Sequence, residues 1–241
     1  MKIVVYTALL GDYDNLQEMP FPVDAYCFTN NKDIKTNTWK IIEDKNAYET
    51  VDERVRQSRR YKTLPQLYFP DADIWIWTDA CFAWSQNPIE TIPYLGENDI
   101  ATFKYPDIFG ERDCIYQEAK ACIARAKDDK KMILDQMKKY KKTGYKKHLG
   151  LVETTILVRR NTPQVREFNN RWWEEIKNGS RRDQLSFNFV IWSLKMKYSI
   201  LPGYRLKTDF GLWHKHKENI YLNNTDTSKA ESRRSFFSFL R

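Results

Sequence analysis

The sequence predicts one α/β domain with a mostly parallel central sheet and helices on both faces of that sheet. Seven apolar or β-branched runs, typical of strands, alternate with five segments of helical character. Several of the runs are apolar at consecutive positions, which is typical of strands buried on both faces. With 241 residues, of which 41% are hydrophobic and 15% aromatic, the chain is long enough for a single domain with a substantial core.

The predicted elements follow from local signals along the chain. The predicted strands are residues 2–9, 25–30, 39–42, 74–78, 99–103, 154–160 and 198–203. The predicted helices are residues 50–63, 111–126, 128–141, 163–177 and 182–195. Thr50 and Glu53 have the spacing of a capping box, and Pro163 after Thr162 is typical of the first turn of a helix.

The amino-terminal segment and the cysteines indicate the cellular compartment that we expect for the protein. The apolar run near the amino terminus is too short to span a membrane and lacks a small-residue cleavage site, so we expect a cytoplasmic protein. The four cysteines show neither a CxxC pair nor zinc-ligand spacing, which favours reduced thiols. We expect the domain to occupy residues 1–220 and a polar tail to occupy residues 221–241.

The charge balance favours anionic partners. Lys and Arg total 40 against 32 for Asp and Glu, a formal net charge of +8. Much of the excess lies in residues 127–148, where Met132, Ile133 and Met137 fall on one stripe of a predicted helix. The lysines of that segment form either an ordinary solvated face or a surface for an anionic membrane or an acceptor. The sequence leaves both open.

The stretch YFPDADIWIWTDACF, residues 68–82, places carboxylates at both ends of one predicted strand. Ligands of open α/β sheets bind beyond the carboxyl ends of the strands, which favours Asp79 as the functional carboxylate. The literal DxD, Asp71 to Asp73, lies at the amino end of the strand, about 15 Å from Asp79, and is predicted to form a turn. Cys81 stands where a second carboxylate would be expected, and Asp79 could equally cap the next turn.

The segment RVRQSRRYK, residues 54–62, carries a cluster of cations on a predicted helix. Arg56 and Arg59 are separated by three residues, which places them on one helical face. Planar guanidinium groups suit bidentate contact with phosphate. A surface ion pair between Asp52 and Arg56 is the alternative for part of this cluster.

Several motifs in a fixed order carry a resemblance to a known family. They are VVYTALLGDYDNL (4–16), YCFTN (26–30), RVRQSRRYKTLPQLYFPDADIWIWTDA (54–80), DCIYQEA (113–119), LVETTILVRRN (151–161) and RRDQLSF (181–187). The chain resembles glycosyltransferases of the GT-A fold, a Rossmann-like fold. More narrowly, it is similar to a poorly characterised glycosyltransferase family of plants, bacteria and viruses, which includes plant proteins linked to seed mucilage.

This resemblance implies a nucleotide-diphosphate sugar as donor and a divalent cation, Mn²⁺ or Mg²⁺, that bridges its phosphates. Asp79 is then the ligand of the metal or of the ribose, and Cys81 departs from the family motif. A late histidine often supplies a further ligand in such folds, which makes His214 and His216 the candidates. They would share one side of an extended segment, although they could also be plain solvated residues.

The resemblance also implies nucleotide contacts. Arg59 and Lys62 are expected at the phosphates, and Thr7 and Ala8 beside the base and ribose. Asn30 ends the second predicted strand, where an Asp would be expected, so the identity of the base stays open.

The acceptor side is represented by Asp183, which begins a predicted helix. In an inverting transferase this carboxylate could take the proton of an acceptor hydroxyl, or it could simply cap the helix. Glu118 and Glu153 are further candidates for contact with the sugar or the acceptor, which we expect to be a glycan or a lipid. Each could equally be an ordinary helix-face or strand-end charge.

Two other functions fit part of the sequence. A nucleic-acid or anionic-surface binding protein would explain the net charge of +8, although nucleic acid is not the partner we expect. A hydrolase of sugar nucleotides or lipids could use the same site. The chain contains no GxSxG, HExxH or Walker-type motif that would support other chemistry.

Overall fold

The structure is a computed structural model that describes residues 1–106 and 112–217. The predicted tail, residues 221–241, lies outside the described residues, as do the last three residues of the predicted domain. The strands are β1 Ile3–Ala8, β2 Asp24–Thr29, β3 Lys40–Glu43, β4 Ile74–Thr78, β5 Phe82–Trp84, β6 Ile100–Lys104, β7 Val152–Arg160, β8 Ser199–Leu201 and β9 Gly211–Trp213. The α-helices are α1 Val51–Thr63, α2 Ile115–Ala124, α3 Lys130–Lys142, α4 Pro163–Asn178 and α5 Gln184–Ser193.

The central sheet has seven strands in the order β3-β2-β1-β4-β7-β6-β8. β7 pairs antiparallel with β4 and β6, and the other pairings in this sheet are parallel. The predicted α/β class with a mostly parallel sheet is confirmed. β5 and β9 form a separate antiparallel pair, which the sequence did not predict because three-residue strands show no readable periodicity.

Helices lie on both faces of the sheet, α-helices on one face and a 3-10 helix beside a strand pair on the other. All five described α-helices contribute to the core on one face, which also contains the fully buried Trp75 and Trp77 of β4. The opposite face carries Ile74 and Ile76 of the same strand. It is covered by the 3-10 helix Pro88–Leu95 and by the β5–β9 pair. Because side chains alternate along β4, its successive residues contribute to two separate cores.

The helix starts follow the predicted chemistry. The Thr50 hydroxyl accepts a hydrogen bond from the Glu53 amide, and the Glu53 carboxylate accepts one from the Thr50 amide, so the predicted capping box is confirmed. Thr162 caps α4 with Pro163 in its first turn. None of the helices in the described residues is long and apolar enough to cross a membrane.

The antiparallel β7 brings two different strand ends to one edge. Thr78 at the carboxyl end of β4 is paired with Ile156, the middle residue of β7, so the first residues of β7 extend beyond the end of β4. The first residues of β7, including Glu153 and Thr154, therefore lie beside the residue that follows β4. This edge is where the candidate site is found.

Candidate functional site

A cavity of about 760 Å³ opens at the carboxyl edge of the parallel strands. Its walls come from the loop after β1, helix α1, the turn after β4, the start of β7 and the start of α5. The literal DxD lies at the opposite edge, where Pro70 and Asp71 form the predicted turn. The Lys2 amide donates to the Asp73 carboxylate at 2.6 Å there.

Asp79 is held at the wall of the cavity by groups from the sheet. Its amide donates to the Thr155 carbonyl at 3.0 Å, and its carboxylate accepts from the Trp77 indole at 3.0 Å. The Lys62 ammonium lies 4.0 Å from the same carboxylate. Because Trp77 is buried, these bonds fix the Asp79 side chain at the cavity while leaving it 29% exposed.

Lys62 and Asp183 form a buried ion pair at 2.7 Å. The Lys62 ammonium also donates to the Thr154 hydroxyl at 2.8 Å, and that hydroxyl donates to Asp183 at 3.0 Å. Arg59 lies 3.7 Å from the second oxygen of Asp183. Burial opposes ionisation of Asp183, but Arg59 and Lys62 outweigh it and hold its pKa well below the usual range. Burial lowers the pKa of Lys62, while Asp183 and Asp79 act in the opposite direction.

Asp183 begins α5, as predicted, but its side chain makes no capping hydrogen bond. The carboxylate points instead to the cations of α1, so the capping alternative does not describe what this side chain does. The cations of α1 divide between the two predicted roles, a surface ion pair and a place in the cavity. Arg56 pairs with Asp52 at 2.7 Å, whereas Arg59 and Lys62 line the cavity.

A fully buried arginine, which the sequence did not indicate, supports this arrangement. Arg159 of β7 donates to the Lys62 carbonyl at 2.6 Å and to the Tyr6 hydroxyl. The Tyr6 hydroxyl donates in turn to the Lys62 carbonyl at 2.8 Å. Burial lowers the pKa of Arg159. These bonds attach the last turn of α1 to β1 and β7, and they fix the position from which the Lys62 side chain enters the cavity.

Glu118 and Glu153 both line the cavity and are almost completely buried. Glu153 forms an ion pair with the Arg205 guanidinium and accepts from the Arg205 amide at 3.1 Å. Glu118 lies 3.4 Å from the Arg112 guanidinium. Both are therefore buried members of ion pairs rather than exposed charges.

The predicted base and ribose contacts are only partly at the cavity. Ala8 lines it, whereas Thr7 is fully buried beneath the surface. Asn30 accepts the Gly11 amide at 2.7 Å and so fixes the loop after β1. Gly11 has a φ of 79°, a left-handed conformation that favours glycine, and a side chain there would also displace the Arg54 guanidinium.

The structure places the two candidate histidines in different surroundings. His216 lines the cavity, with its Nδ1 2.6 Å from an Asp14 oxygen, and Cys81 completes a group whose potential ligand atoms all lie within 4.8 Å. His214 is exposed and is not among the cavity residues; its amide donates to the Cys81 carbonyl at 2.9 Å. The structure thus does not gather Asp79, His214 and His216 into one ligand group. Strand β9 ends at Trp213, so both histidines follow the strand rather than belong to it.

Basic side chains outnumber acidic ones around the cavity, which favours an anionic ligand. The basic lining residues are Arg54, Arg59, Lys62, Arg125, Lys127, Arg182, Arg205, Lys215 and Lys217. The acidic ones are Asp14, Asp79, Glu118, Glu153 and Asp183. Burial, together with the nearby Arg182 charge, lowers the pKa of Lys127 to about 8. The structure therefore keeps this cation in the cavity in spite of its desolvation cost.

Residues 23–202 match the family model described as TOD1/MUCI70, glycosyltransferase-like domain. The chain belongs to this family. The matched range contains Asp79, the Lys62–Asp183 pair and both buried glutamates, so the resemblance drawn from the sequence motifs is confirmed. Asp14 and His216 lie outside the matched range, and no signal of that family model bears on them.

One solved structure that resembles this member of the TOD1/MUCI70 family is described as "crystal structure of a glycosyltransferase involved in the glycosylation of the major capsid of PBCV-1". It is 9% identical, with a TM-score of 0.43, over 83% of this chain and 82% of that one. A similarity at this level carries no argument about function. No curated protein matches the chain.

Proposed function

We propose that this member of the TOD1/MUCI70 family transfers a sugar from a nucleotide-diphosphate sugar to a hydroxyl group of a glycan or lipid acceptor. The observation that carries the proposal is the position of Asp79 beside a set of fixed cations in the cavity at the carboxyl edge of the sheet. The cavity volume of about 760 Å³ is in the range of small-molecule sites. Family membership supports glycosyl transfer, and the surplus of cations supports an anionic donor.

The cations are suited to the diphosphate of the donor. Negative charge builds on the leaving diphosphate as the bond to the sugar breaks, so cations held at that point stabilise the transition state more than the ground state. Arg59, Lys62 and Arg205 are held by carboxylates before any ligand binds. This preorganisation reduces the cost of orienting them during the reaction. A divalent cation, when bound, would supply further positive charge at the diphosphate.

We assign different roles to the carboxylates of the cavity on the basis of their ion pairs. With its pKa held low by Arg59 and Lys62, Asp183 is a weak base, and we assign it to positioning these two cations. Removal of the proton from the acceptor hydroxyl falls to Glu153 or Glu118, which line the same cavity. Replacement of the base by glutamine should lower kcat, leave KM for the donor unchanged, and remove the acid limb of the pH profile. A variant that changes only the melting temperature would exclude that glutamate.

The proposal is tested by the thermal stability of the purified protein with UDP, GDP, CDP and their common sugars, with and without Mn²⁺. A ligand at 100 times its Kd stabilises a protein by about 2.7 kcal/mol, which is readily seen as a rise in Tm. We expect a rise that is selective for one nucleotide and absent in Asp79→Ala. The absence of any rise at millimolar concentration would contradict the proposal, and release of free sugar without an acceptor would identify a hydrolase.

A peripheral membrane contact is a second role that the surface of α3 favours. This helix presents exposed lysines together with Leu134, which is 49% exposed. Lysines attract anionic lipid headgroups, and an apolar side chain among them can enter the interface. Sedimentation with vesicles that contain phosphatidylserine should therefore carry the protein down at low salt. Lys138→Glu with Lys142→Glu should reduce it, and equal binding to neutral vesicles would contradict this role.

A further inference from the structure

Three side chains with metal-binding chemistry meet at the mouth of the cavity from distant parts of the chain. Asp14 lies in the loop after β1, Cys81 in the turn between β4 and β5, and His216 in the segment after β9. The potential ligand atoms all lie within 4.8 Å of one another. Asp14 and Cys81 are buried, with 5% and 1% exposure, whereas the His216 side chain is 42% exposed.

Backbone hydrogen bonds hold these segments together. The Gln17 amide donates to the Ala80 carbonyl at 2.9 Å, which attaches the loop after β1 to the turn after β4. The His214 amide donates to the Cys81 carbonyl at 2.9 Å, which attaches the segment after β9 to the same turn. The His216 ring packs edge-on against Trp213 at 5.3 Å. The group is therefore formed by the fold itself, which is what a binding site requires.

The chemistry of the group differs from the one that the family resemblance implies. Mg²⁺ and Mn²⁺ prefer carboxylate, carbonyl and water oxygens. Here a thiol and an imidazole stand beside a single carboxylate, and Asp79 and His214 are not in the group. Sulfur, nitrogen and carboxylate oxygen are the usual ligands of Zn²⁺, and Co²⁺ accepts a similar set. The donor set does not fit a site built for Mg²⁺ or Mn²⁺.

We propose that Asp14, Cys81 and His216 bind a thiophilic divalent cation, with Zn²⁺ as the favoured ion. Binding converts the Cys81 thiol to a thiolate and releases its proton to solvent. Three protein ligands leave a fourth tetrahedral position for water or another oxygen ligand. Asp14 and His216 line the cavity, so a phosphate oxygen of the donor is a suitable fourth ligand; this last step rests on the proposed function.

A second group offers an internal control. The potential ligand atoms of Asp113, Cys114 and His148 also lie within 4.8 Å of one another. The side chains of Asp113 and His148 are 50% and 59% exposed, and none of the three residues lines the cavity. Cys114→Ser therefore removes a thiol of similar surroundings without touching the proposed site.

The test uses the full chain after treatment with a chelator, titrated with Co²⁺ and followed by absorption spectroscopy. A cobalt–thiolate bond produces an intense near-ultraviolet charge-transfer band. We expect this band in the wild type and in Cys114→Ser, and its loss in Cys81→Ser. His216→Ala, which changes the most exposed of the three ligands, should weaken Co²⁺ binding at least about tenfold while circular dichroism stays that of the wild type. Zn²⁺ should remove the band, and a large excess of Mg²⁺ should not.

Two results would overturn the proposal: no thiolate band in the wild type, or a band that survives in Cys81→Ser and disappears in Cys114→Ser. A parallel thermal titration with UDP, GDP and CDP separates this proposal from the proposed function. If the band is absent while a nucleotide still raises Tm, the cation site fails and the proposed function stands. If the band is present and no nucleotide raises Tm, the cation site stands and the proposed function fails.

Discussion

Strand β4 carries carboxylates at both of its ends, and their surroundings differ. Before the strand, the Asp73 side chain is 59% exposed, and it interacts with the Lys2 amide and, at 4.0 Å, with the amino terminus. After the strand, Asp79 is bonded to a buried indole and lies 4.0 Å from a buried ammonium group. The DxD spelling is at the first end, whereas the cavity and its cations are at the second.

The difference shows that the buried cations gather at the end of β4 that lacks the DxD motif. Loops at the carboxyl ends of β1 and β4 and at the amino end of β7 converge on one edge, so side chains there can act on the same ligand. Asp71 and Asp73 lie at the other edge and share no cation of the cavity. The predictions below test this contrast, beginning with the largest expected effect.

The buried Lys62–Asp183 pair in the cavity after β4 should be the most sensitive point for stability. Asp183→Asn leaves the Lys62 ammonium buried without its nearest carboxylate, and breaking such a pair costs about 3–5 kcal/mol. Urea unfolding should show this loss. The double variant Lys62→Met with Asp183→Asn should lose less than the sum of the two single variants, because it removes both charges. Strictly additive losses would mean that the two side chains do not interact.

The same pair should give the protein a defined acid sensitivity. The folded pKa of Asp183 is held below its unfolded value, so its contribution is present above the unfolded pKa of about 3.9 and is lost as pH falls below it. We therefore expect the stability of the wild type to fall more steeply with acid than that of Asp183→Asn. Parallel stability curves for the two proteins between about pH 5 and 2 would contradict this account.

Lys127 should also make stability rise with pH, but at a higher pH, and its charged form destabilises the folded protein because burial disfavours that form. Its pKa is about 8 in the folded protein and about 10.4 in the unfolded chain, so the unfolded state binds more protons between these values and stability rises with pH there. Lys127→Met should remove this rise and stabilise the ligand-free protein by about 1–3 kcal/mol at pH 7. It should also weaken nucleotide binding. A destabilised variant would show that the cation is structural.

The contrast between the ends of β4 is tested directly by a matched pair of variants. Asp79→Asn should weaken the binding of the nucleotide by at least about tenfold, or about 1.4 kcal/mol, in isothermal titration. Asp73→Asn should leave the affinity unchanged, because its carboxylate lies at the opposite edge of the sheet. Equal losses in both variants would remove the basis of the comparison.

The smallest effect is expected for stability at the DxD. Asp71→Asn with Asp73→Asn should change the free energy of unfolding by less than about 0.5 kcal/mol, because exposed ion pairs contribute little. Urea unfolding beside Asp183→Asn provides the scale. A loss comparable to that of Asp183→Asn would show that the turn before β4 has a structural role that its exposure does not indicate.

The strands and helices could be predicted closely, because their signals are local. The run IWIWT predicted β4 with its observed bounds, and Thr50 with Glu53 located the start of α1 within one residue. The short strands β5 and β9 were missed, since three residues carry too little pattern. Of the two histidines that the sequence proposed as metal ligands, only His216 lines the cavity, which local sequence could not distinguish.

The site was predicted only in part. Asp79, Arg59 and Lys62 were identified because a strand-end rule and a helical cluster mark them, and all three line the cavity. Arg159 and Arg205 were missed because no neighbouring residue in the sequence indicates that either would be buried beside a functional group. Asp14 is one of several acidic residues in its loop, and only its burial distinguishes it.

The amino-acid sequence by itself determined the family, the fold class and the edge of the sheet at which the cavity opens, since these follow from periodicity, capping, motif order and the strand-end rule. Only the tertiary structure decided which side chains meet there. Lys62 and Asp183 are 121 residues apart, and Asp14 and His216 are 202 apart. Contacts over such separations depend on the sheet order and on the packing of α1 and α5, and no local pattern encodes them.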